Sequence, residues 1–247
     1  MDYINNEYKK LEALMKSHVA VSREILWANI FHDTIRGSRW LCEQPFSPGR
    51  AAIGYPTLYA LYRILDEYQP KNILEMGLGQ STKMIGSYIK WKDSKNEACH
   101  HYIVEHDRSW IEFFKNMFQL SCSTEVVHLD LKRVELDDIE GKPTEVNMYS
   151  GFRERFQNQK YDLVFIDGPF GSPVYSRIDI IDLLPECLAD SFIIMLDDSE
   201  RPGEQNTLKM ILNLLEESGI EYAFNYYGGE KASAIITSQD LHFLCTM

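Results

Sequence analysis

The chain has 247 residues, 45% of them apolar, and its 25 lysines and arginines are outnumbered by 37 aspartates and glutamates. This length and apolar content predict one α/β domain with an appendage, and they argue against a disordered chain. The net charge of −12 argues against nucleic acid as a partner, because a polyanion would be repelled instead of binding through the release of counterions.

The cysteines and the N-terminus indicate the compartment. The chain has five cysteines, an odd number without a C-x-x-C pair, which predicts reduced thiols in a cytoplasmic protein. They are Cys42, Cys99, Cys122, Cys187 and Cys245. The N-terminal residues MDYINNEYKK are polar and acidic, unlike a signal peptide. No apolar run approaches the roughly 18 residues of a membrane span, so we expect none.

Residues 1–54 are predicted to form an extension ahead of one domain at residues 55–247. Within this extension, residues 37–56 are rich in proline and glycine, which predicts a loop. The composition fits a packed connector and a roof over the active site equally well.

Residues 1–36 are predicted to be helical, with one apolar stripe. The stripe comprises Ile4, Leu11, Leu14, Met15, Ile25, Leu26, Ile30 and Phe31. Such a stripe predicts a packing face that covers the edge of the sheet, lies over the cofactor, or joins a second copy of the chain in a homodimer. The sequence leaves these three alternatives open.

Residues 72–91 predict a strand, a glycine turn and a helix, because an apolar run ends at Gly77 and Gly79 and is followed by apolar residues at helical spacing. Glycine lets the backbone turn sharply and lets a ligand approach the main chain. Gln80 or Ser81 is expected at the N-cap, which directs free N–H groups and the positive helix end at the ligand. In an open parallel sheet, the carboxyl end of such a strand is the usual ligand site.

The identity of that ligand is indicated by the acids around the glycines. A dinucleotide fingerprint needs a third glycine, and Thr82 stands in its place. The second predicted strand, residues 100–104, ends at Glu105, which is placed to accept both hydroxyls of a ribose. Glu75 adds a carboxylate that would hold an ammonium group. This combination suits S-adenosylmethionine better than a dinucleotide.

Three further strands are predicted, each ending in an acid. They are residues 125–129 before Asp130, residues 161–166 before Asp167, and residues 192–196 before Asp197 and Asp198. Asp130 is placed to accept from an adenine amino group. The middle strand is continuously apolar, as a buried parallel strand should be.

The C-terminal part completes the α/β alternation. We predict helices at residues 177–188 and 206–218, then strands at residues 221–227 and 232–237 joined by a glycine-rich hairpin turn. Residues 132–160 are the least readable stretch, and only a short helix near residues 152–156 is predicted there. The expected fold is α/β and Rossmann-like, with a seven-stranded, mostly parallel sheet, an antiparallel last strand, helices on both faces and the N-terminal helical extension.

From residue 55 to residue 247 the sequence resembles the class I S-adenosylmethionine-dependent methyltransferases. The resemblance rests on the order and spacing of E-M-G-L-G at residues 75–79, Glu105, Asp130, the strand ending at Asp167, and the closing hairpin. It implies that Gly77 and Gly79 face the methionine part of the cofactor, Glu75 lies near its amino end, Glu105 binds ribose and Asp130 sits at the adenine. Gln80, Ser81 and Asp167 complete the expected cofactor contacts.

The acids after the fourth and fifth strands point to the chemistry. Asp167, Asp197 and Asp198 are expected to converge, and three carboxylates repel one another unless a cation or a proton neutralises them. Oxygen ligands suit Mg²⁺, which would lower the pKa of a bound hydroxyl. We therefore predict Asp167 and Asp197 as catalytic residues, and all three acids as ligands of a Mg²⁺ ion. The alternative, which the sequence leaves open, is that Asp198 caps the turn before Pro202 and no metal binds.

This arrangement resembles the metal-dependent O-methyltransferases of the catechol and macrocin types. The acidic pair Asp197-Asp198 is similar to the macrocin type, which methylates sugars, and the turn from Asp167 to Gly171 resembles polysaccharide-modifying methyltransferases. The resemblance implies O-methylation of a carbohydrate or another small hydroxyl compound. Two alternatives stay open: a nicotinamide-dependent oxidoreductase on the same fold, and a non-catalytic scaffold.

Overall fold

The computed structural model describes residues 2–41, 46–49, 52–137 and 141–246. Its helices are α1 Asp2–Ile35, α2 Tyr55–Arg63, α3 Gln80–Ser94, α4 Arg108–Met117, α5 Phe152–Phe156 and α6 Pro202–Glu217. Its strands are β1 Asn72–Met76, β2 His100–Glu105, β3 Thr124–His128, β4 Leu131–Asp137, β5 Pro143–Tyr149, β6 Tyr161–Ile166, β7 Leu188–Leu196, β8 Tyr222–Gly228 and β9 Ala232–Ser238. A π-helical turn at Ile64–Tyr68 continues α2, and 3₁₀ helices span Ile178–Asp182 and Gln239–Cys245.

Seven strands form one sheet in the order β3-β2-β1-β6-β7-β9-β8. Neighbouring strands from β3 to β7 pair in parallel, whereas β9 pairs antiparallel with both β7 and β8. The last strand is therefore inserted between the two that precede it, and the predicted fold is confirmed. The strand order reverses at β1, which lies between β2 and β6, and such a switch point opens a crevice at the carboxyl ends of the strands.

Alternating residues of the buried strands divide the core between the two faces of the sheet. On one face Ile73 and Phe165 belong to an apolar cluster with residues of α2 and α3. On the other face Leu74 and Val164 belong to a cluster with Leu208 and other residues of α6. Helices cover both faces, and this holds the strand ends in fixed positions.

Two predictions for the middle of the chain need correction. The helix predicted at residues 177–188 is only the 3₁₀ helix Ile178–Asp182 followed by turns. Pro185 explains the difference, because proline lacks an N–H group and disfavours the helical conformation in the residue before it. The least readable stretch contains most of β4 and all of β5, a separate two-stranded antiparallel sheet in which Leu131 pairs with Tyr149. The short helix predicted near residues 152–156 is confirmed as α5.

The long helix α1 is confirmed, and its two halves differ in their surroundings. Near its middle, Glu24 accepts hydrogen bonds from the backbone N–H groups of Tyr55 (2.7 Å) and Glu230 (3.1 Å), and Trp27 donates to the carbonyl of Gly228 (3.2 Å). Ahead of these anchors the apolar stripe is exposed, with 54% of Leu11 accessible. The homodimer stays a prediction.

Within the described ranges, no helix combines the length and apolar character that crossing a bilayer requires.

Asp179 fixes the end of β5 to the 3₁₀ helix. It is fully buried, its Oδ1 accepts a hydrogen bond from the backbone N–H of Tyr149 (2.6 Å), and its Oδ2 has no hydrogen-bond partner within the described part of the chain. Burial raises the pKa of the Asp179 carboxyl to about 7, against the lowering effect of the Tyr149 N–H bond.

This raised pKa predicts a pH-dependent gain in stability for Asp179→Asn. The unfolded chain ionises this group near pH 3.8, whereas the folded chain ionises it near pH 7, so its contribution to stability is present at low pH and is lost as the pH rises through 7. An asparagine oxygen still accepts from Tyr149 and carries no charge. We expect the variant to be more stable than the wild type at pH 8, by roughly 1–4 kcal/mol, with the difference disappearing towards pH 4.

Thermal unfolding at pH 5, 6, 7 and 8 measures this difference, with Asp182→Asn, at an exposed position of the same 3₁₀ helix, as the control. A stability difference independent of pH would contradict the assignment of a buried, raised-pKa carboxyl to Asp179.

Candidate functional site

The carboxyl ends of β1, β2, β6 and β7 surround a crevice of about 370 Å³, within the range of small-molecule sites. Its wall includes Gly77, Gly79, Gln80, Glu105, Asp167 and Lys231. The register explains this convergence, because Met76 at the end of β1 pairs with Val104 of β2 and with Ile166 of β6. The next residue of each strand therefore reaches the same edge.

The two glycines of the turn have different local requirements. Gly77 has φ +97°, and a Cβ there would lie 3.1 Å from the backbone carbonyl of Asp167. Gly79 has an extended backbone, and a Cβ there would meet no atom within 4 Å among the described residues. Gly77 is thus required by the fold, whereas Gly79 leaves open space at the crevice.

Glu75 and Ser81 were predicted to contact the cofactor, and the structure places both behind the crevice wall. Glu75 is fully buried, and its Oε1 accepts hydrogen bonds from the hydroxyls of Ser81 (2.5 Å) and Thr82 (3.0 Å). Its Oε2 lies 2.9 Å from Nε2 of His101, which is also fully buried. The carboxylate therefore holds the start of α3 and is not free to bind an ammonium group directly.

Glu105 lies in the crevice wall as predicted. Its Oε1 accepts hydrogen bonds from the backbone N–H groups of His106 (2.7 Å) and Asp107 (2.9 Å), and its Oε2 accepts from that of Leu78 (3.2 Å). The imidazole Nδ1 of His106 lies 2.8 Å from Oε1. Hydrogen bonds from backbone donors fix a carboxylate in one orientation, so Glu105 presents a preorganised acceptor next to the glycine turn.

Asp130, predicted at an adenine, is not in the crevice wall. Its side chain is 81% exposed, and its Oδ1 lies 3.6 Å from Nε2 of His128. The end of β5 contributes an aromatic residue instead, since Tyr149 is buried and lines the crevice. Trp110 of α4 lines it as well and donates to the carbonyl of Leu78 (2.6 Å).

The three acids after β6 and β7 do converge. Ligand atoms of Asp167, Asp197 and Asp198 all lie within 4.8 Å of one another. Asp197 is fully buried, and its Oδ1 accepts hydrogen bonds from the hydroxyls of Ser233 (2.5 Å) and Thr57 (3.3 Å). Asp167 is the most accessible of the three, with 27% of its side chain exposed.

Three cationic side chains lie among these acids. Arg177 Nη2 is 3.0 Å from Asp167 and 2.7 Å from Asp198, Arg201 Nη1 is 2.9 Å from Asp198, and Lys231 Nζ is 2.8 Å from Asp198. Sequence analysis did not identify Arg177 or Lys231 as site residues. Arg177 begins the segment wrongly predicted to be helical, and Lys231 lies in the predicted hairpin turn, whose sequence does not indicate that it reaches the crevice.

The charges shift the pKa values in opposite directions. Burial raises the pKa of Asp167 to about 7, helped by Asp197 and Asp198 and opposed by Arg177. Burial acts on Asp198 in the same way, but Lys231 and Arg177 outweigh it and leave its pKa below the usual value. Asp167 therefore changes its protonation near neutral pH, whereas Asp198 does so at lower pH.

A Mg²⁺ ion held by all three acids does not fit this arrangement. Metal ligation needs free carboxylate oxygens, whereas both oxygens of Asp198 and one of Asp167 pair with cationic side chains. Asp197 is buried, with Oδ1 bound to hydroxyls and Oδ2 3.4 Å from Lys231. The predicted convergence is confirmed, and side-chain cations already supply the neutralising charge.

Comparison with known proteins gives resemblances in fold. No protein-family model matches the chain, and no curated protein sequence matches it. Among solved structures it is similar to the SAH-bound methyltransferase PaMTH1 of Podospora anserina, at 15% identity over 95% of this chain and 96% of that chain, with a TM-score of 0.44. Fibrillarin of Aeropyrum pernix, in complex with S-adenosyl-L-methionine, shares 13% identity over 83% of this chain and 85% of that chain, with a TM-score of 0.45.

A spermidine synthase from Thermotoga maritima is also similar, at 9% identity over 72% of this chain and 59% of that chain, with a TM-score of 0.41. Enzymes of different activity thus appear at comparable scores. Such distant resemblances do not indicate the activity of this chain, for which the residues of the crevice are the relevant observation.

The geometry of the two glycines predicts that an alanine substitution lowers the stability at Gly77 but not at Gly79. Gly77→Ala combines a left-handed backbone with a close backbone contact, so we expect a loss of stability of roughly 1–3 kcal/mol. Gly79→Ala meets neither obstacle, and we expect the melting temperature of the wild type. Differential scanning fluorimetry of both variants measures this, and equal melting temperatures would contradict the assigned roles.

Proposed function

We propose that the chain is an S-adenosylmethionine-dependent methyltransferase that methylates a hydroxyl oxygen. The observation that carries the proposal is the Glu105 carboxylate, which backbone N–H groups hold in the crevice wall next to Gly77 and Gly79. A fixed carboxylate at the tip of the second strand suits the two hydroxyls of a ribose. The open space above Gly79 suits the close approach of a ligand to the main chain.

The same turn disfavours a dinucleotide. In dinucleotide-binding folds a third glycine allows close packing of helix on strand, whereas here Thr82 is buried, donates to Glu75 and accepts from the backbone N–H of Gly79 (2.9 Å). The position is thus built for a hydroxyl side chain that closes the first turn of α3. The antiparallel β9, inserted beside β7, also departs from a continued series of parallel units.

In this proposal, different residues of the crevice bind the cofactor and assist the methyl transfer. When bound, S-adenosylmethionine supplies a methyl group on a positively charged sulfur. Glu105 would hold the ribose, and the backbone from Gly77 to Gly79 would accommodate the amino-acid part of the ligand. Asp167 is the accessible acid at the opposite side of the crevice, and it would orient the acceptor hydroxyl and take its proton.

Asp197 was predicted to be catalytic together with Asp167, and its surroundings support a structural role. Full burial and the hydrogen bonds from Ser233 and Thr57 leave it no open path to an acceptor. It anchors the start of β9 to the end of β7. Asp167 therefore remains our candidate for the catalytic acid–base group.

A carbohydrate or another small hydroxyl compound is the proposed acceptor class. The sequence from Asp167 to Gly171 supports it, as does Phe170, which lines the mouth of the crevice, is largely exposed and lies 5.4 Å from Arg201. An exposed aromatic ring beside a polar cluster offers a surface on which a sugar ring packs while its hydroxyls reach charged groups.

The cofactor assignment predicts binding of S-adenosylhomocysteine in the micromolar range and at least tenfold weaker binding to Glu105→Gln, since one oxygen of the ribose acceptor becomes an amide. Asp130→Asn is the matched control, because Asp130 lies outside the crevice wall. Isothermal titration calorimetry measures both. Fluorescence titration with NADH tests the nicotinamide alternative, and NADH binding without S-adenosylhomocysteine binding would refute the proposal.

The acid–base role predicts that Asp167→Asn binds S-adenosylhomocysteine like the wild type but transfers methyl groups about 10²-fold to 10⁴-fold more slowly. The measurement is release of S-adenosylhomocysteine in the presence of a panel of free and nucleotide-linked sugars. Full activity of Asp167→Asn would remove Asp167 from the mechanism. Turnover of other hydroxyl compounds but of no sugar would remove the carbohydrate part of the proposal.

A further inference from the structure

Arg177 lies at the centre of the acidic cluster and is 1% exposed. Besides its two ion pairs with Asp167 and Asp198, its Nη1 donates to the backbone carbonyls of Asp197 (2.5 Å) and Ile166 (3.4 Å). One guanidinium therefore joins the ends of β6 and β7. A planar, permanently charged group with several donors suits such a position.

Lys231 supplies a second positive charge from the other side. Its Nζ lies 2.8 Å from Oδ1 of Asp198 and 3.4 Å from Oδ2 of Asp197, and it donates to the carbonyl of Ala52 (3.0 Å). Unlike Arg177, it lines the crevice. Together the two cations contact a carboxylate oxygen of all three acids.

The charge balance leaves no need for a divalent ion. Including Glu204, whose Oε1 lies 3.7 Å from Arg177 Nε, four carboxylates face the three cations Arg177, Arg201 and Lys231. One net negative charge remains if all these groups are ionised. A divalent cation added to this cluster would reverse that charge. To bridge Asp167 and Asp198, it would also have to displace the guanidinium of Arg177, which is buried and bonded to two backbone carbonyls.

We propose that Arg177 and Lys231 form a permanent cation pair in the place where a divalent metal ion would bridge Asp167 and Asp198, so that the site works without a metal. The supporting contacts join four places in the fold: the end of β6, the start of the 3₁₀ helix, the end of β7 and the β8–β9 hairpin.

A second consequence rests on the proposed function. Lys231 is the member of the pair that lines the crevice, and its three N–H donors already face Ala52, Asp197 and Asp198. It would therefore act through its positive charge, which would stabilise the acceptor oxygen while Asp167 takes the proton. The oxygen–methyl bond forms as the methyl–sulfur bond breaks, and the electron pair of the broken bond remains on sulfur. The one residual negative charge of the cluster also matches a singly charged sulfonium better than a divalent ion.

The direct test is titration of the wild-type protein with Mn²⁺, followed by water-proton relaxation. We expect no saturable binding below about 1 mM, because every carboxylate oxygen of the three acids except Oδ2 of Asp167 already contacts a cationic side chain or a hydroxyl. Saturable binding of one Mn²⁺ at micromolar concentration that Asp198→Asn abolishes would overturn the proposal. This outcome does not depend on whether the cofactor assignment is correct.

The variant Lys231→Met tests the cation pair by removing one of its charges, which should create Mn²⁺ binding instead of preventing it. It frees one oxygen of Asp198 and one of Asp197, so we expect Mn²⁺ affinity to rise at least tenfold. Lys209→Met, at an exposed position of α6, is the control and should bind no more Mn²⁺ than the wild type. If the Lys231→Met protein folds but gains no Mn²⁺ affinity, the proposal that Lys231 takes the place of a metal ion is contradicted.

Calorimetry separates this proposal from the proposed function. We expect the affinity for S-adenosylhomocysteine to be unchanged by EDTA or by 5 mM Mg²⁺. Binding that requires Mg²⁺ would overturn the cation-pair proposal and leave the methyltransferase assignment intact. Absence of S-adenosylhomocysteine binding in both conditions would refute the methyltransferase assignment, and the Mn²⁺ titration would still decide between a cation pair and a metal.

Discussion

The contact between Gly77 and the backbone of Asp167 determines the shape of the crevice. A Cβ at Gly77 would come within 3.1 Å of that carbonyl, so the turn after β1 and the turn after β6 touch directly. This contact brings Glu105 to one side of the glycine turn and the acids of β6 and β7 to the other. In the function we propose, one part of the crevice would bind the nucleoside and the other would bind and deprotonate the acceptor.

Buried polar groups on both sides of the glycine turn keep this arrangement rigid. Behind the turn, the Glu75 carboxylate is bonded to Ser81, Thr82 and His101 and fixes the start of α3. At the far end, Arg177 joins β6 to β7. Burying a polar or charged group is costly unless it is hydrogen-bonded, and both side chains have such partners in the folded chain.

Periodicity and strand-end residues were sufficient to predict the sheet, its closing hairpin, the long N-terminal helix and the convergence of Asp167, Asp197 and Asp198. These sequence patterns failed where contacts between distant parts of the chain determine the local structure. The apolar residues at 177–188 are buried without forming an α-helix, and the charged strands β4 and β5 lack a clear alternation. Glu75 and Asp130 show the same limit within the site, because position after a strand does not tell whether a carboxylate faces the crevice, the core or solvent.

A crystal structure of the protein grown with S-adenosylhomocysteine and Mn²⁺, with anomalous data collected for manganese, tests the account most directly. We predict the ribose hydroxyls on Glu105, the amino-acid part along Gly77 to Gly79, and no anomalous peak between Asp167 and Asp198, with Arg177 in contact with both acids and Lys231 in contact with Asp198. A ligand bound elsewhere would contradict the methyltransferase assignment. A manganese peak at the three acids, with Lys231 displaced, would contradict the cation pair.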